Sequence, residues 1–141
     1  MKVKNKNIKL PPWYMDIKYN PKIIPYWICH DIQLSWANCQ VYAYEILRFN
    51  DLFVPAMRSS ELWSDSKDST TISDNYELLD ILFFNENNDS WGAHLGLYIW
   101  ENKVLHNSKD IWWPAIFDIW DFTKINKYSC FLWGKRLKQS K

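Results

Sequence analysis

Residues 35–49 read SWANCQVYAYEILRF, and the apolar side chains from Cys39 onward recur at the three- and four-residue spacing of one helical face. This spacing predicts a helix from Gln40 onward. Asn38 or Ser35 can cap it, because a short polar side chain accepts from the free N–H groups of the first turn. Cys39 then lies where unpaired N–H groups and the positive end of the helix dipole favour its thiolate, the reactive form. The alternative is a small buried thiol that packs as a hydrophobe.

The length and composition fit one globular domain, since the 141 residues are 48% hydrophobic. A net charge of +1 gives no strong field toward nucleic acid or an anionic membrane, so neither partner is expected. The chain contains no run of 18 apolar residues, so no membrane-spanning helix is expected. Ten Trp, eight Tyr and seven Phe are unusually many, and we expect these rings to close a core and to line a groove.

The basic residues 1–12 are predicted to form an N-terminal arm ahead of a single domain over residues 13–141. No apolar segment follows the basic residues, so no Sec signal peptide is expected, which leaves the cytoplasm or export by a non-Sec route. Three cysteines without close spacing argue against a disulfide framework. A zinc site of Cys29, His30 and Cys39 matches no standard spacing, so we expect neither a metal nor an organic cofactor.

Downstream of the central helix the hydrophobic pattern changes from helical to strand-like. A serine cap predicts a short helix at residues 58–63, residues 64–75 are polar enough for a surface loop, and the proline-punctuated residues 13–31 predict short helix and loop. The predicted strands are residues 79–84, 93–100, 103–106, 114–117 and 128–136, with a helical turn at residues 118–122. This order predicts an α+β fold in which N-terminal helices pack on a C-terminal antiparallel sheet.

A cysteine nucleophile needs a base within hydrogen-bond reach, and that base needs a partner to hold its tautomer. Cys39, His94 and His106 are residue types that fill these three roles. His94 alternates with Gly96 on one face of its predicted strand, where the missing side chain of Gly96 leaves room for a substrate backbone.

The hairpin that follows His94 tests this arrangement. A strict two-residue turn at Glu101-Asn102 turns His106 to the opposite face, because slipping the register by one residue flips every side chain. We therefore predict a three-residue loop or a bulge between Ile99 and Val104, which restores the two histidines to one face.

Five segments, in chain order, resemble landmarks of the NlpC/P60 cysteine peptidases, a papain-like family. They are NCQVY at 38–42, MRSSEL at 57–62, LDILFF at 79–84, HLGLY at 94–98 and LHNS at 105–108. The resemblance extends over about residues 25–136 and implies a papain-like fold. It also implies that Cys39 is the nucleophile, His94 the general base and His106 the residue that orients His94.

The family places a tyrosine near its oxyanion site, and Tyr26 is similar in position; the oxyanion donors would then be its hydroxyl and the Cys39 N–H group. Asn38, Gln40 and Gly96 are expected around the substrate. The chain departs from the family where an Asp usually precedes the cysteine and Ser-Gly follows it. Asn38 precedes it here and Gln40-Val41 follows, which makes the backbone beside the thiol less permissive.

Family members typically cut peptide bonds in bacterial cell-wall stem peptides, often between D-glutamate and a diamino acid. The resemblance therefore implies a monomeric thiol hydrolase that cleaves a peptide or muropeptide through an acyl-enzyme. The alternatives are an acyltransferase or amidase of the same fold, a catalytically inactive domain that binds glycan or peptide, and a toxin-like hydrolase exported without a Sec signal. Trp91, Trp112 and Trp113 are expected to pack within the structure, with stacking on a sugar or peptide as the alternative. Asp80 is expected to bond backbone, and Lys135-Arg136 to form a solvated strand end.

Overall fold

The computed structural model describes residues 10–12, 14–19, 36–52 and 57–138, with only the backbone of residues 36 and 37. The described chain has the predicted α+β architecture, built on a six-stranded antiparallel sheet in the order β3-β8-β4-β5-β6-β7. The elements are β1 (Lys18–Tyr19), β2 (Trp36–Ala37), α1 (Cys39–Phe49), α2 (Ser59–Ser64), β3 (Ser69–Ile72), β4 (Ile81–Asn85), β5 (His94–Trp100), β6 (Lys103–Ser108), β7 (Trp113–Asp118), α3 (Ile119–Phe122), a 3-10 turn (Asn126–Tyr128) and β8 (Cys130–Leu137).

Two strand pairings were not predicted from the sequence. β3 lies within the stretch predicted as a surface loop, and it forms a strand because it pairs with β8, more than sixty residues away. β1 lies in the stretch predicted as short helix and loop, and it pairs in parallel with β2. Most of residues 13–31, and residues 1–9 of the predicted arm, lie outside the described residues.

Helix α1 begins at Cys39, one residue before the predicted start at Gln40. The Asn38 side chain caps it by accepting a hydrogen bond of 2.8 Å from the Val41 N–H group. Every residue from Val41 to Leu47 is buried, so α1 is covered on more sides than the predicted single face, and it contacts β5 and β6. In the described part of the chain no helix is long and apolar enough to cross a membrane.

The sheet has an apolar cluster on each face. One cluster joins α1 to the Leu95, Leu97 and Ile99 side of β5. The other contains Leu82, Phe84, Val104, Ile119, Phe122 and Tyr128. Because β4 supplies side chains to both clusters, its apolar run is continuous rather than alternating.

The β5–β6 hairpin has the irregularity that the sequence required. Its two-residue turn, Glu101-Asn102, has positive φ angles of 48° and 65°, as hairpin turns of this length prefer. The register then shifts between Tyr98 and Trp100, so that Ile99 forms a bulge. The bulge lies within the predicted segment and restores the alternation that puts His94 and His106 on one face.

Gly96 has a different role from the predicted one. A Cβ atom at this position would collide with Val104 and would lie 3.5 Å from the Cβ of His106. The space left by the missing side chain is therefore filled by β6 and is not open to a substrate. Gly96 instead allows β6 to approach closely enough for His106 to reach His94.

The start of β4 is tied to β8 by a buried carboxylate. Asp80 is 1% exposed and binds Arg136 through two hydrogen bonds of 2.8 Å, while it accepts a third from the Glu77 N–H group. Its predicted backbone bond is thus present, and a bidentate ion pair adds to it. Lys135 was predicted to be solvated, but it is 1% exposed and donates to the Asp65 carbonyl at 2.5 Å.

We expect Asp80→Ala to lower the free energy of unfolding by about 2–4 kcal/mol, because the Arg136 guanidinium loses its buried bidentate partner and keeps only the longer contacts with Glu77 and the Asn75 carbonyl. Lys103→Ala is the matched control. It breaks an ion pair of 3.5 Å whose side chains are 45% and 33% exposed, and should cost less than about 1 kcal/mol. Urea unfolding with an unchanged m-value measures both effects. Equal losses in the two variants would contradict the structural role of Asp80.

Candidate active site

Cys39, the first residue of α1, opens onto a cleft of about 210 Å³. The start of α1, the start of α2 and the loop between β4 and β5 line this cleft. α2 is held against that loop because the Ser59 hydroxyl donates to the Ser90 carbonyl at 2.9 Å. Cys39 and Cys130 are both free thiols, and the cleft makes the former accessible from solvent.

The thiol of Cys39 is held in its neutral form by its surroundings. Burial raises its pKa, and this effect exceeds the opposing one of the backbone N–H groups of Leu95, Cys39 and Gln40, which lower it. The expected depression of the pKa by the helix start is therefore present but is outweighed, because protein surrounds the sulfur. Deprotonation of Cys39 needs a base.

The two predicted histidines are in direct contact. Nε2 of His94 lies 2.7 Å from Nδ1 of His106, and the rings are nearly perpendicular at 88°. Aromatic side chains of the second apolar cluster enclose the pair: Tyr128 stacks on His94 at 4.3 Å between ring centroids, and Phe122 meets His106 edge-on at 4.7 Å. The pair is therefore oriented by packing as well as by its hydrogen bond.

Burial keeps both imidazoles neutral at ordinary pH. It lowers the pKa of His94 to about 3, and it lowers the pKa of His106 well below 6.5 with a further contribution from His94. Nε2 of His106 is buried and has no hydrogen-bond partner in the described part of the chain. The other ring nitrogen of His94, Nδ1, takes no part in the contact with His106.

The start of α1 lies against the start of β5, the strand that carries His94. The Leu95 N–H group, which belongs to the peptide bond following His94, faces the Cys39 thiol. The imidazole of His94 packs with Phe122 and Tyr128 on the sheet face away from α1. No direct hydrogen bond joins them among the described residues.

Two tyrosines flank the thiol, and the sequence had singled out neither. Tyr19 lines the cleft, because β1 pairs with β2 two residues before Cys39. Burial and the nearby thiol raise the pKa of Tyr19, and the same two causes raise that of Tyr128, so both phenols stay protonated. Only the pairing of β1 with β2 identifies Tyr19, and a two-residue strand leaves no periodic signal in a sequence.

Some of the side chains predicted to surround the substrate form hydrogen bonds within the protein. Asn38 caps α1, and Gln40 donates to the Met57 carbonyl and, at 3.0 Å, to the Tyr44 hydroxyl, although both residues line the cleft. Tyr26 lies outside the described residues, as do Cys29 and His30. The described residues include no cluster of three or more His, Cys, Asp or Glu side chains that could hold a metal ion.

The rim of the cleft carries two further side chains, Arg58 and Trp91. Trp91 was predicted to pack within the structure, but it is 76% exposed, because the loop before β5 holds it at the cleft edge. In the sequence, Arg58 was noted only as part of a segment that resembles the NlpC/P60 family. No rule of residue spacing predicts that it lines the same cleft as Cys39, nineteen residues earlier.

Solved structures with the same fold carry NlpC names. NlpC1 and NlpC2 from Trichomonas vaginalis align with 99% of the chain at 17% and 16% identity, each with a TM-score of 0.58. The NlpC/p60 domain of the peptidoglycan hydrolase SagA aligns with 77% of the chain and 83% of that domain, at 14% identity and a TM-score of 0.51.

These likenesses establish the NlpC/P60-type fold, and at such identities they establish the fold alone. The chain spans 42% and 44% of the lengths of the two Trichomonas structures. Neither a family model nor a curated protein sequence matches the chain.

The lowered histidine pKa values make stability fall in acid. The unfolded chain binds protons at His94 and His106 below about pH 6.5 and the folded chain does not. The unfolded state is therefore stabilised relative to the folded state as the pH drops toward the folded pKa of about 3 for His94. We expect each histidine to contribute a slope of about 1.4 kcal/mol per pH unit in this window. His94→Gln should remove one such contribution from the urea-measured pH dependence, whereas Lys124→Gln, at an exposed position, should leave the slope unchanged. An unaltered slope in His94→Gln would mean that His94 titrates normally when folded.

Proposed function

We propose that this chain is a cysteine hydrolase that cleaves an amide bond through a Cys39 acyl-enzyme, with His94 as general base and His106 as the residue that positions His94. One observation carries the proposal: a cleft-facing thiol at a helix start approaches the strand end that holds a buried His–His pair. The NlpC/P60-type fold of the chain agrees with it.

The hydrogen bond between the histidines allows only one productive tautomer. If His94 donates from Nε2 to Nδ1 of His106, its own Nδ1 carries a free lone pair that can accept the thiol proton. The opposite tautomer places a proton on Nδ1 of His94 and blocks this transfer. When His94 is protonated it still donates to His106, so the contact holds the ring through both states.

In the first half-reaction the Cys39 sulfur attacks the carbonyl carbon while its proton passes to His94 Nδ1. The negative charge on the carbonyl oxygen falls at the start of α1, where the Cys39 N–H group and the protonated Tyr19 hydroxyl are the available donors. Tyr26 is the other candidate for the hydroxyl donor. The C–N bond then breaks, His94 gives its proton to the leaving amine, and a thioester remains on Cys39.

In the second half-reaction water attacks the thioester carbonyl carbon and gives a proton to His94. The C–S bond breaks, the sulfur takes that proton back from His94, and a carboxylic acid leaves. The cycle consumes one water molecule and needs no cofactor. A transferase of the same fold would differ only in the second nucleophile, an amine or alcohol in place of water.

The substrate we propose is a peptidoglycan stem peptide, cleaved between D-glutamate and a diamino acid. SagA is a peptidoglycan hydrolase whose NlpC/p60 domain shares the fold, and this supports the choice. The cleft at Cys39 is open at the surface and lined by both polar and apolar groups, which suits an extended peptide better than a compact apolar ligand.

The proposal predicts that the purified protein converts the tripeptide L-Ala-γ-D-Glu-L-Lys to L-Ala-D-Glu and lysine, as followed by mass spectrometry. Cys39→Ala should reduce the rate by about 10³-fold or more, because it removes the nucleophile. His106→Gln should reduce kcat by about tenfold to a hundredfold and leave KM nearly unchanged, because it disturbs the orientation of His94 without touching the cleft.

Cys130→Ala is the control, since Cys130 is the second free thiol of the described chain and does not line the cleft. Its rate should match that of the wild type. A Cys39→Ala variant that kept the wild-type rate would show that the mechanism is wrong.

The raised pKa of Cys39 and the missing hydrogen bond to His94 also fit a domain that binds peptide without cleaving it, and iodoacetamide separates the two functions. In a hydrolase, His94 assists deprotonation, so His94→Gln should slow alkylation of Cys39 at neutral pH by about tenfold or more. Cys130 in the same sample is the internal reference for peptide mass spectrometry. A Cys39 that is unreactive below about pH 9, with or without His94, would favour the binding domain.

A further inference from the structure

We propose that the Tyr128 hydroxyl is a catalytic group that donates a hydrogen bond to the Cys39 sulfur when the thiol gives up its proton. The inference deepens the proposed cysteine hydrolase and rests on it for the proton transfer from Cys39 to His94. It adds a donor for the negative charge that this transfer leaves on the sulfur.

Tyr128 is fixed beside the proposed general base. It ends the 3-10 turn Asn126–Tyr128, where its N–H group donates to the Ile125 carbonyl at 2.9 Å. Its ring stacks on His94 with 4.3 Å between the ring centroids and 21° between the planes, and Phe122 meets it edge-on at 5.9 Å. Because a phenol oxygen lies in the plane of its ring, a ring held in this way fixes the hydroxyl relative to the imidazole.

The Tyr128 hydroxyl is a buried donor that the resting protein does not use. Tyr128 is 4% exposed, and its oxygen has no hydrogen-bond partner in the part of the chain that the structure describes. The Lys109 N–H group faces this oxygen, but it can only donate, so the hydroxyl proton still lacks an acceptor. An unpaired buried donor costs free energy, and most such groups in folded proteins have partners. A donor that is kept dry and unpaired is available for a charge that forms only during the reaction.

Titratable groups from three other elements surround this hydroxyl. Burial raises the pKa of Tyr128, and three neighbouring groups that can become negative raise it further: Cys39 of α1, Asp110 of the loop after β6 and Tyr19 of β1. Asp110 forms an ion pair of 3.0 Å with Lys127, whose ammonium lies 6.0 Å from the centroid of the Tyr128 ring. Burial keeps Tyr19 protonated. Of the three groups, Cys39 is therefore the one that becomes negative during the reaction.

Only one proton changes place in the proposed step. The Cys39 proton moves to Nδ1 of His94, and the sulfur, now negative, accepts from the Tyr128 hydroxyl, which keeps its own proton because its pKa is raised. A sulfur that gives its proton to His94 lies at the edge of the imidazole that the Tyr128 ring covers, so the two groups are neighbours in this step. When the thioester is cleaved, the same donor stabilises the departing sulfur.

The test is the rate at which iodoacetamide alkylates Cys39 at pH 8 in the intact protein, measured by peptide mass spectrometry with Cys130 as the internal reference. Tyr128→Phe keeps the stacked ring and removes only the hydroxyl. We expect the rate to fall by about fivefold or more, because the loss of a hydrogen bond to the thiolate raises the pKa of Cys39 by about one unit or more. A more basic sulfur is also more nucleophilic, which recovers part of the tenfold loss for each unit of pKa.

Tyr76→Phe is the matched control. The hydroxyl of Tyr76 is likewise buried without a partner among the described residues, and Tyr76 packs against the same apolar cluster, but the charges near it are those of Asp80 and Asp74. This variant should leave the alkylation of Cys39 unchanged. Urea unfolding should show both variants to be at least as stable as the wild type, because neither substitution breaks a hydrogen bond of the folded protein.

Hydrolysis of L-Ala-γ-D-Glu-L-Lys by the wild-type protein tests the proposed function separately. Where it occurs, Tyr128→Phe should lower kcat by about tenfold and leave KM nearly unchanged, since the hydroxyl contacts the sulfur and not the bound peptide. Slower alkylation in Tyr128→Phe without any hydrolysis by the wild type would retain the hydroxyl as a donor to the sulfur and remove the hydrolase. An alkylation rate that Tyr128→Phe leaves unchanged or that Tyr76→Phe lowers equally, or a Tyr128→Phe protein less stable than the wild type, would overturn the inference.

Discussion

The contact between His94 and His106 depends on the single bulged residue in β5. Side chains alternate strictly along a strand, so without Ile99 outside the register every residue of β6 would turn to the other face. His106 would then point toward α1, away from His94. Gly96 completes the arrangement, because any larger residue there would push β6 away. The geometry of the β5–β6 hairpin therefore decides whether the two histidines can be in contact.

Burial keeps the ionisable side chains of this site uncharged. Thiol, imidazoles and phenols all remain neutral, since each is surrounded by protein and each charged form would lose its hydration. In the proposed mechanism, charge appears only when a proton moves from the Cys39 sulfur to His94. The amides at the start of α1 face the sulfur, and one hydrogen bond joins His94 to His106. Preorganised dipoles of this kind act more strongly in a dry interior than in water.

The cleft around Cys39 is built by different means from the buried pair. Its walls are hydrogen-bonded side chains from α1, α2 and the loop before β5, and the rim is an arginine and an exposed tryptophan. Gln40 stands where the resemblance leads one to expect a small residue, and the structure gives it a partner across the cleft wall, the Met57 carbonyl. The bulk of that residue is therefore used to join α1 to the segment that precedes α2.

The sequence by itself determined the helix that starts at Cys39, the strand that carries His94 and the need for a bulge before His106. These features depend on capping chemistry and on the periods of helix and strand, which are local and can be recognised in consecutive residues. Only the tertiary structure decided that β8 lies between β3 and β4, that Tyr19 flanks the thiol, and that Arg58 and Trp91 form the rim of the cleft. Those placements depend on pairing and packing between distant segments. The raised pKa of Cys39 is likewise a property of the fold, because the helix start favours a thiolate whereas burial, the larger effect here, opposes it.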